Sequence, residues 1–104
     1  MVLRYNIAMD IQEIAQKTRT ILQNCGVEYA GLFGSHARGE AGEDSDVDIL
    51  VKFSGRPTFS AYLHLDESLR VALGREIDLL TEGGLNKFLR PHIERDLKVF
   101  YGQR

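Results

Sequence analysis

Apolar and small residues recur at Ile11, Ile14, Ala15, Thr18, Ile21, Leu22 and Cys25, the intervals of one face of an α-helix. Asp10 stands as the N-cap, with Glu13 three residues on in a capping-box pattern, and Gly26 ends the run. The pattern predicts a helix over 11–25. The residues before it, 1–9, are apolar but irregular and fit either a frayed lead-in or a short strand. Val27–Phe33 (VEYAGLF) and Asp46–Phe53 (DVDILVKF) are β-rich runs and predict two strands. The Gly34-Ser35 step after the first strand predicts the opening of a short helix. Phe59, Tyr62, Leu65, Leu69, Ala72 and Leu73 then mark one face of a second long helix, stopped by Gly74. Glu76–Leu80 (EIDLL) predicts a third strand, followed by a break at Gly83 and Gly84. Leu85–Leu89 and Pro91–Leu97 predict one or two short helices, and Val99–Tyr101 a terminal strand. Interleaving of this kind predicts an α+β (α/β-like) domain with one small mixed sheet covered by helices.

Composition narrows the classes. A chain of 104 residues, 43% hydrophobic and 27% charged, predicts one soluble domain with one core. Fifteen acidic residues against thirteen basic ones leave a charge of −2, which disfavours binding to DNA or long RNA. No run reaches membrane-spanning length, and no signal-peptide pattern opens the chain, so a cytoplasmic location is expected. Cys25 is the sole cysteine and reads as a small hydrophobe. Tyr5, Tyr29, Tyr62 and Tyr101 read as packing residues, and His64 and His92 as surface. Arg90, Arg95 and Lys98 form a modest basic run, read as a solvated face or a partner contact.

The candidate chemistry lies in LFGSHARGEAGEDSDVDILV. Asp46 and Asp48 are two apart on a predicted strand, so their side chains share a face while Val47 and Ile49 turn to the core. Two adjacent carboxylates repel, and a hard divalent cation such as magnesium relieves the repulsion while keeping sites for phosphate oxygens. Gly34 lets the backbone approach a ligand, and the turn's amides together with the Ser35 hydroxyl favour an anion. Arg38 is a candidate second cationic contact, and Ser45 is a candidate cofactor contact that would also serve to cap the turn before the strand. Asp78, in mid-strand between Ile77 and Leu79, is an unfavourable strand residue that a chemical role would explain: a third metal ligand and a base. Its competing reading is a surface carboxylate paired with Arg75. An anion cradle and a carboxylate pair together predict a site for a metal–triphosphate complex, with two metal ions clamping a phosphoryl transfer.

The stretch GSHARGEAGEDSDVDILV resembles the signature of the DNA polymerase beta-like nucleotidyltransferases, in which Gly-Ser is followed after about ten residues by Asp-x-Asp and later by a third Asp. Its fuller form resembles the minimal nucleotidyltransferases of prokaryotes, many of them MntA-type antitoxins paired with a HEPN-domain toxin. The resemblance runs from about Asp10 to Tyr101. It implies a polymerase beta palm-like fold, with Gly34 and Ser35 on the nucleotide phosphates, Asp46 and Asp48 on magnesium, and Asp78 as third ligand and base. It also implies ATP as co-substrate and transfer of AMP to a tyrosine of a partner HEPN RNase toxin, in a hetero-oligomer. His36, where the family often carries an aromatic or other residue, leaves the metal triad untouched and bears on the phosphate contacts. So short a domain implies that part of the acceptor site comes from another chain. Two rival functions remain open at this point: transfer to a small molecule or an RNA end, and an antitoxin that neutralises its partner by binding alone.

Overall fold

The computed structural model describes residues 9–42 and 44–104. The lead-in up to residue 8, with Tyr5, lies outside the described residues. Helix α1 spans Ile11–Asn24 and strand β1 Val27–Phe33. The short helix α2 spans Gly34–Arg38, β2 Val47–Phe53, α3 Phe59–Leu73 and β3 Ile77–Thr81. A 3-10 turn at Glu82–Gly84 leads to α4, Arg90–Asp96, and β4, Lys98–Gly102. The expected elements are nearly all present, with ends shifted by a residue or two.

Local chemistry accounts for the boundaries. The Asp10 carboxylate accepts from the Glu13 amide at 2.8 Å and starts α1, as an N-cap does. The Thr58 hydroxyl accepts from the Ala61 amide at 3.1 Å and starts α3. Gly74 ends α3 with φ +63°, a left-handed conformation that glycine adopts without a Cβ penalty. Pro91 sits in the first turn of α4, where its missing amide costs nothing.

Two expectations fail. Leu85–Leu89 is not helical: the Asn86 side chain accepts from the amides of Phe88 and Leu89, at 2.8 and 2.9 Å, and turns the chain instead. Phe88 and Leu89 are exposed, so no buried face rewards a helix there. Phe59, placed on the apolar face of α3, is exposed as well and stacks on Tyr62 at 6.4 Å between ring centres.

The sheet has the order β3-β2-β1-β4. β1 runs antiparallel to both β2 and β4, while β2 and β3 are parallel and joined by α3, as a parallel pair requires a crossover. Val47, Ile49, Val51 and Phe53 of β2 join one cluster with Ile14 and Leu22 of α1 and Leu65 and Leu69 of α3. Leu50 joins another, with Tyr29, Phe33 and Ile93. Helices α1 and α3 therefore cover one face, and α4 covers only part of the other. Alternation puts Asp48 on the partly covered face with Leu50. Cys25 is half-buried against the first cluster, and burial pushes its thiol up.

Candidate active site

The parallel register sets Asp48 beside Asp78, and the antiparallel register on its other side sets Asp48 opposite Phe33. The Asp78 carboxylate is near enough for its charge to act on that of Asp48. Asp48 is half-buried while Asp46 and Asp78 are exposed. The Asp48 carboxyl is pushed up from 3.8 to about 6, first by burial, then by the charges of Asp78 and Asp46; Arg38 acts in the opposite sense. Asp78, Asp46 and Arg38 thus each act electrostatically on Asp48.

Asp48 is also placed by what lies under it. Gly34 has φ +72°, and a Cβ there would collide with the Asp48 carboxylate. A glycine after β1 therefore does two things: it turns the chain into α2, and it leaves room for the carboxylate. Ser35 is half-buried in the same turn, and its carbonyl accepts from the Glu40 amide at 2.9 Å.

Asp46 precedes the first residue of β2. Its carbonyl accepts from His36 Nδ1 at 3.1 Å, and the amide of the same peptide, on Val47, donates to the Glu76 carbonyl at 2.9 Å. His36 is buried. Its imidazole is held below its ordinary pKa, first by burial and then by Arg75. Ser45 Oγ accepts from the Gly42 amide at 2.9 Å, closing the turn ahead of Asp46. Arg38 pairs with Glu40 and with Asp96 of α4, both at 2.9 Å. On the other side of β3, the Tyr62 hydroxyl donates to the Leu79 carbonyl at 2.6 Å, one residue from Asp78.

Asp48 and Asp78 are brought together, and Gly34 and Ser35 lie at the same end of the site. Asp46 is near, but among the described residues no group of three or more His, Cys, Asp or Glu side chains is gathered closely enough to hold a metal ion as it stands. A half-buried carboxyl raised to about 6 by burial and by two neighbouring aspartates suits a hard divalent cation, which would relieve the repulsion at Asp48. Reading by sequence missed two contributors. Asp96, 58 residues from Arg38, carries no signal near the motif. His36 reads in sequence only as bearing on the phosphate contacts, because its partner is ten residues away across a loop. The basic run is largely neutralised: Arg90 pairs with Glu82 and Glu94, and Arg95 lies 3.8 Å from Asp96. No helix among the described residues is long and apolar enough to cross a membrane.

Comparison with known proteins bears on what such a site does. The family model described as polymerase beta, nucleotidyltransferase matches residues 6–104. A Methanocaldococcus jannaschii relative, provisionally named protein adenylyltransferase MJ1379, is 44% identical over 92 residues, covering 85% of this chain and 92% of its own. The protein adenylyltransferase MntA of Thermococcus cleftensis is 38% identical over 79 residues, covering 76% of this chain and 80% of its own. A solved structure of tri-AMPylated Shewanella oneidensis HEPN toxin in complex with MNT antitoxin aligns with a TM-score of 0.70 at 22% identity. That alignment covers 89% of this chain and 73% of the other, and it supports likeness of fold.

Proposed function

The chain belongs to the polymerase beta nucleotidyltransferase family, and from that premise we propose that it transfers AMP from ATP to a tyrosine hydroxyl of a partner HEPN RNase, acting as the antitoxin of the pair. The observation that carries this reading is the pairing of Asp48 with Asp78 across the parallel register, beside a Gly34 whose missing side chain makes the room. Its relatives are named protein adenylyltransferases, and a protein of similar fold sits in a complex with an AMPylated HEPN toxin.

In this reading Asp46, Asp48 and Asp78 would hold magnesium, two ions in the full site, and the metal would supply positive charge to offset that of the triphosphate. Gly34 and Ser35 receive the triphosphate: the glycine through close backbone approach, the serine by donating its hydroxyl. Arg38 adds a cationic contact by exchanging its carboxylate partners for phosphate oxygens, and Ser45 shapes the loop at the nucleotide's edge. The acceptor hydroxyl gives its proton to Asp78 and attacks the α-phosphorus. A bond forms from that oxygen to phosphorus, the bond to the β-phosphate bridge breaks, and pyrophosphate leaves. The 104 residues act as one minimal domain in the cytoplasm, with the acceptor segment supplied by the partner.

The test is to incubate the protein with ATP, magnesium and a HEPN-domain RNase from the same organism, then weigh the latter. A gain of one or more AMP groups on a tyrosine, lost with Asp48→Asn, is the expected result. An unmodified partner whose RNase activity is nonetheless silenced, equally by wild type and by Asp48→Asn, would overturn it in favour of masking.

A further inference from the structure

His36 is buried, 7% exposed, in a helix of five residues beside the carboxylates. A carbonyl only accepts, so the 3.1 Å contact to Asp46 requires the proton on Nδ1. The other ring nitrogen, Nε2, is then a bare acceptor, and among the described residues it is buried with no hydrogen-bond partner. Burying a polar atom unpaired is unfavourable, and an apolar side chain would fill the same space without that cost. Packing alone therefore does not explain an imidazole here; the bond made by Nδ1 does. That bond holds one end of the Asp46–Val47 peptide, while the Glu76 carbonyl ahead of β3 holds the other. With both ends tied, the peptide plane cannot rotate, and the Cα of Asp46 is fixed relative to Asp48.

We propose that His36 is a positioning residue: by clamping the Asp46–Val47 peptide it fixes the backbone from which the Asp46 carboxylate would reach a metal ion held at Asp48 and Asp78. The inference rests on the metal–nucleotide reading above. Asp46 is exposed and lies outside the strand, so nothing else described holds it as Asp48 is held by two neighbouring strands. Contacts one layer out from a metal ligand commonly change metal affinity about 10- to 100-fold.

The experiment measures ATP binding by calorimetry as magnesium is titrated, together with melting temperature, for wild type, His36→Leu and His36→Asn. Asparagine places an amide donor where Nδ1 stands; leucine fills the space without one. His36→Leu is expected to raise the half-saturating magnesium concentration about tenfold, and His36→Asn to restore it to near the wild-type value, whatever each does to melting. Where leucine does not fold, His36→Gln replaces it: its donor lies one bond further out, and the same rise is expected. Wild-type magnesium dependence in His36→Leu or His36→Gln overturns the positioning role. So does an equal loss in His36→Asn. Wild-type protein that binds no ATP with magnesium overturns the nucleotide reading itself, and with it this inference.

Discussion

Gly34 and Asp48 compete for one volume: the Cβ that any other residue would add at position 34 falls on the Asp48 carboxylate. The positive φ of Gly34, +72°, adds a second requirement for glycine at the same place. Gly34→Ala should therefore act on chemistry more than on folding. Alanine in the left-handed region costs about 1–2 kcal/mol, a modest drop in melting temperature. A carboxylate displaced by about an ångström costs on the order of 100-fold in rate. Steady-state AMP transfer beside a thermal melt separates the two, and full activity in the alanine variant would show that Asp48 moves aside without consequence.

Asp48 makes stability depend on pH in a direction unusual for a carboxylate. In an unfolded chain its carboxyl ionises near 3.8, while in the fold burial and the neighbouring aspartates raise this to about 6. Between those values the native state holds a proton that the unfolded chain has lost, so stability falls as pH rises through the window. Without metal, wild type should lose melting temperature from pH 4 to pH 6 relative to Asp48→Asn, whose neutral amide does not titrate. Asp48→Asn should melt higher than wild type at pH 7 while losing activity by about 10²–10³-fold. Magnesium should raise the wild-type melt at pH 7 and do less at pH 5, where protons compete for the carboxylate. Parallel pH profiles for the two proteins would count against this account.

Much of this was legible in the chain because it is local. Alternation along Val47–Phe53 puts Asp48 on the face opposite Val47 and Ile49, the Asp10 cap starts α1 and the Gly74 stop ends α3, although Asp46, expected in the strand, falls just before it. What was not legible depends on contacts distant in sequence. The meeting of Asp48 with Asp78 needs the register of a parallel pair thirty residues apart, which no spacing states. The His36–Asp46 bond and the Arg38–Asp96 pair each close a loop, and Phe59 follows the helical period yet lies where nothing covers it. The Asn86 turn defeats a helical pattern by offering the backbone a side-chain acceptor.

Tyr62 supports β3 from the opposite face. Its hydroxyl gives a 2.6 Å bond to the Leu79 carbonyl, and burial with the nearby Asp66 and Asp78 charges pushes the phenol up. Tyr62→Phe should cost about 1 kcal/mol, measured by urea denaturation, and leave the KM for ATP close to wild type because the ring and its packing remain. A large loss of transfer rate with little loss of stability would instead mean that this bond sets the position of Asp78.

Arg38 stands between two uses. Its guanidinium bridges Glu40 and Asp96, tying α2 to α4, and its charge is felt at Asp48. If it turns to the triphosphate, Arg38→Ala should raise the KM for ATP about tenfold, the scale of a lost charge-assisted hydrogen bond. Asp96→Asn weakens the competing pair and should leave that KM unchanged or lower it. Asp96→Asn should melt close to wild type, while Arg38→Ala should melt somewhat lower because it leaves the Asp96 carboxylate, only 14% exposed, without this partner. Measured together, the two separate the roles: a KM untouched by Arg38→Ala, or raised as much by Asp96→Asn, would make the arginine a tie between helices and not a ligand for phosphate.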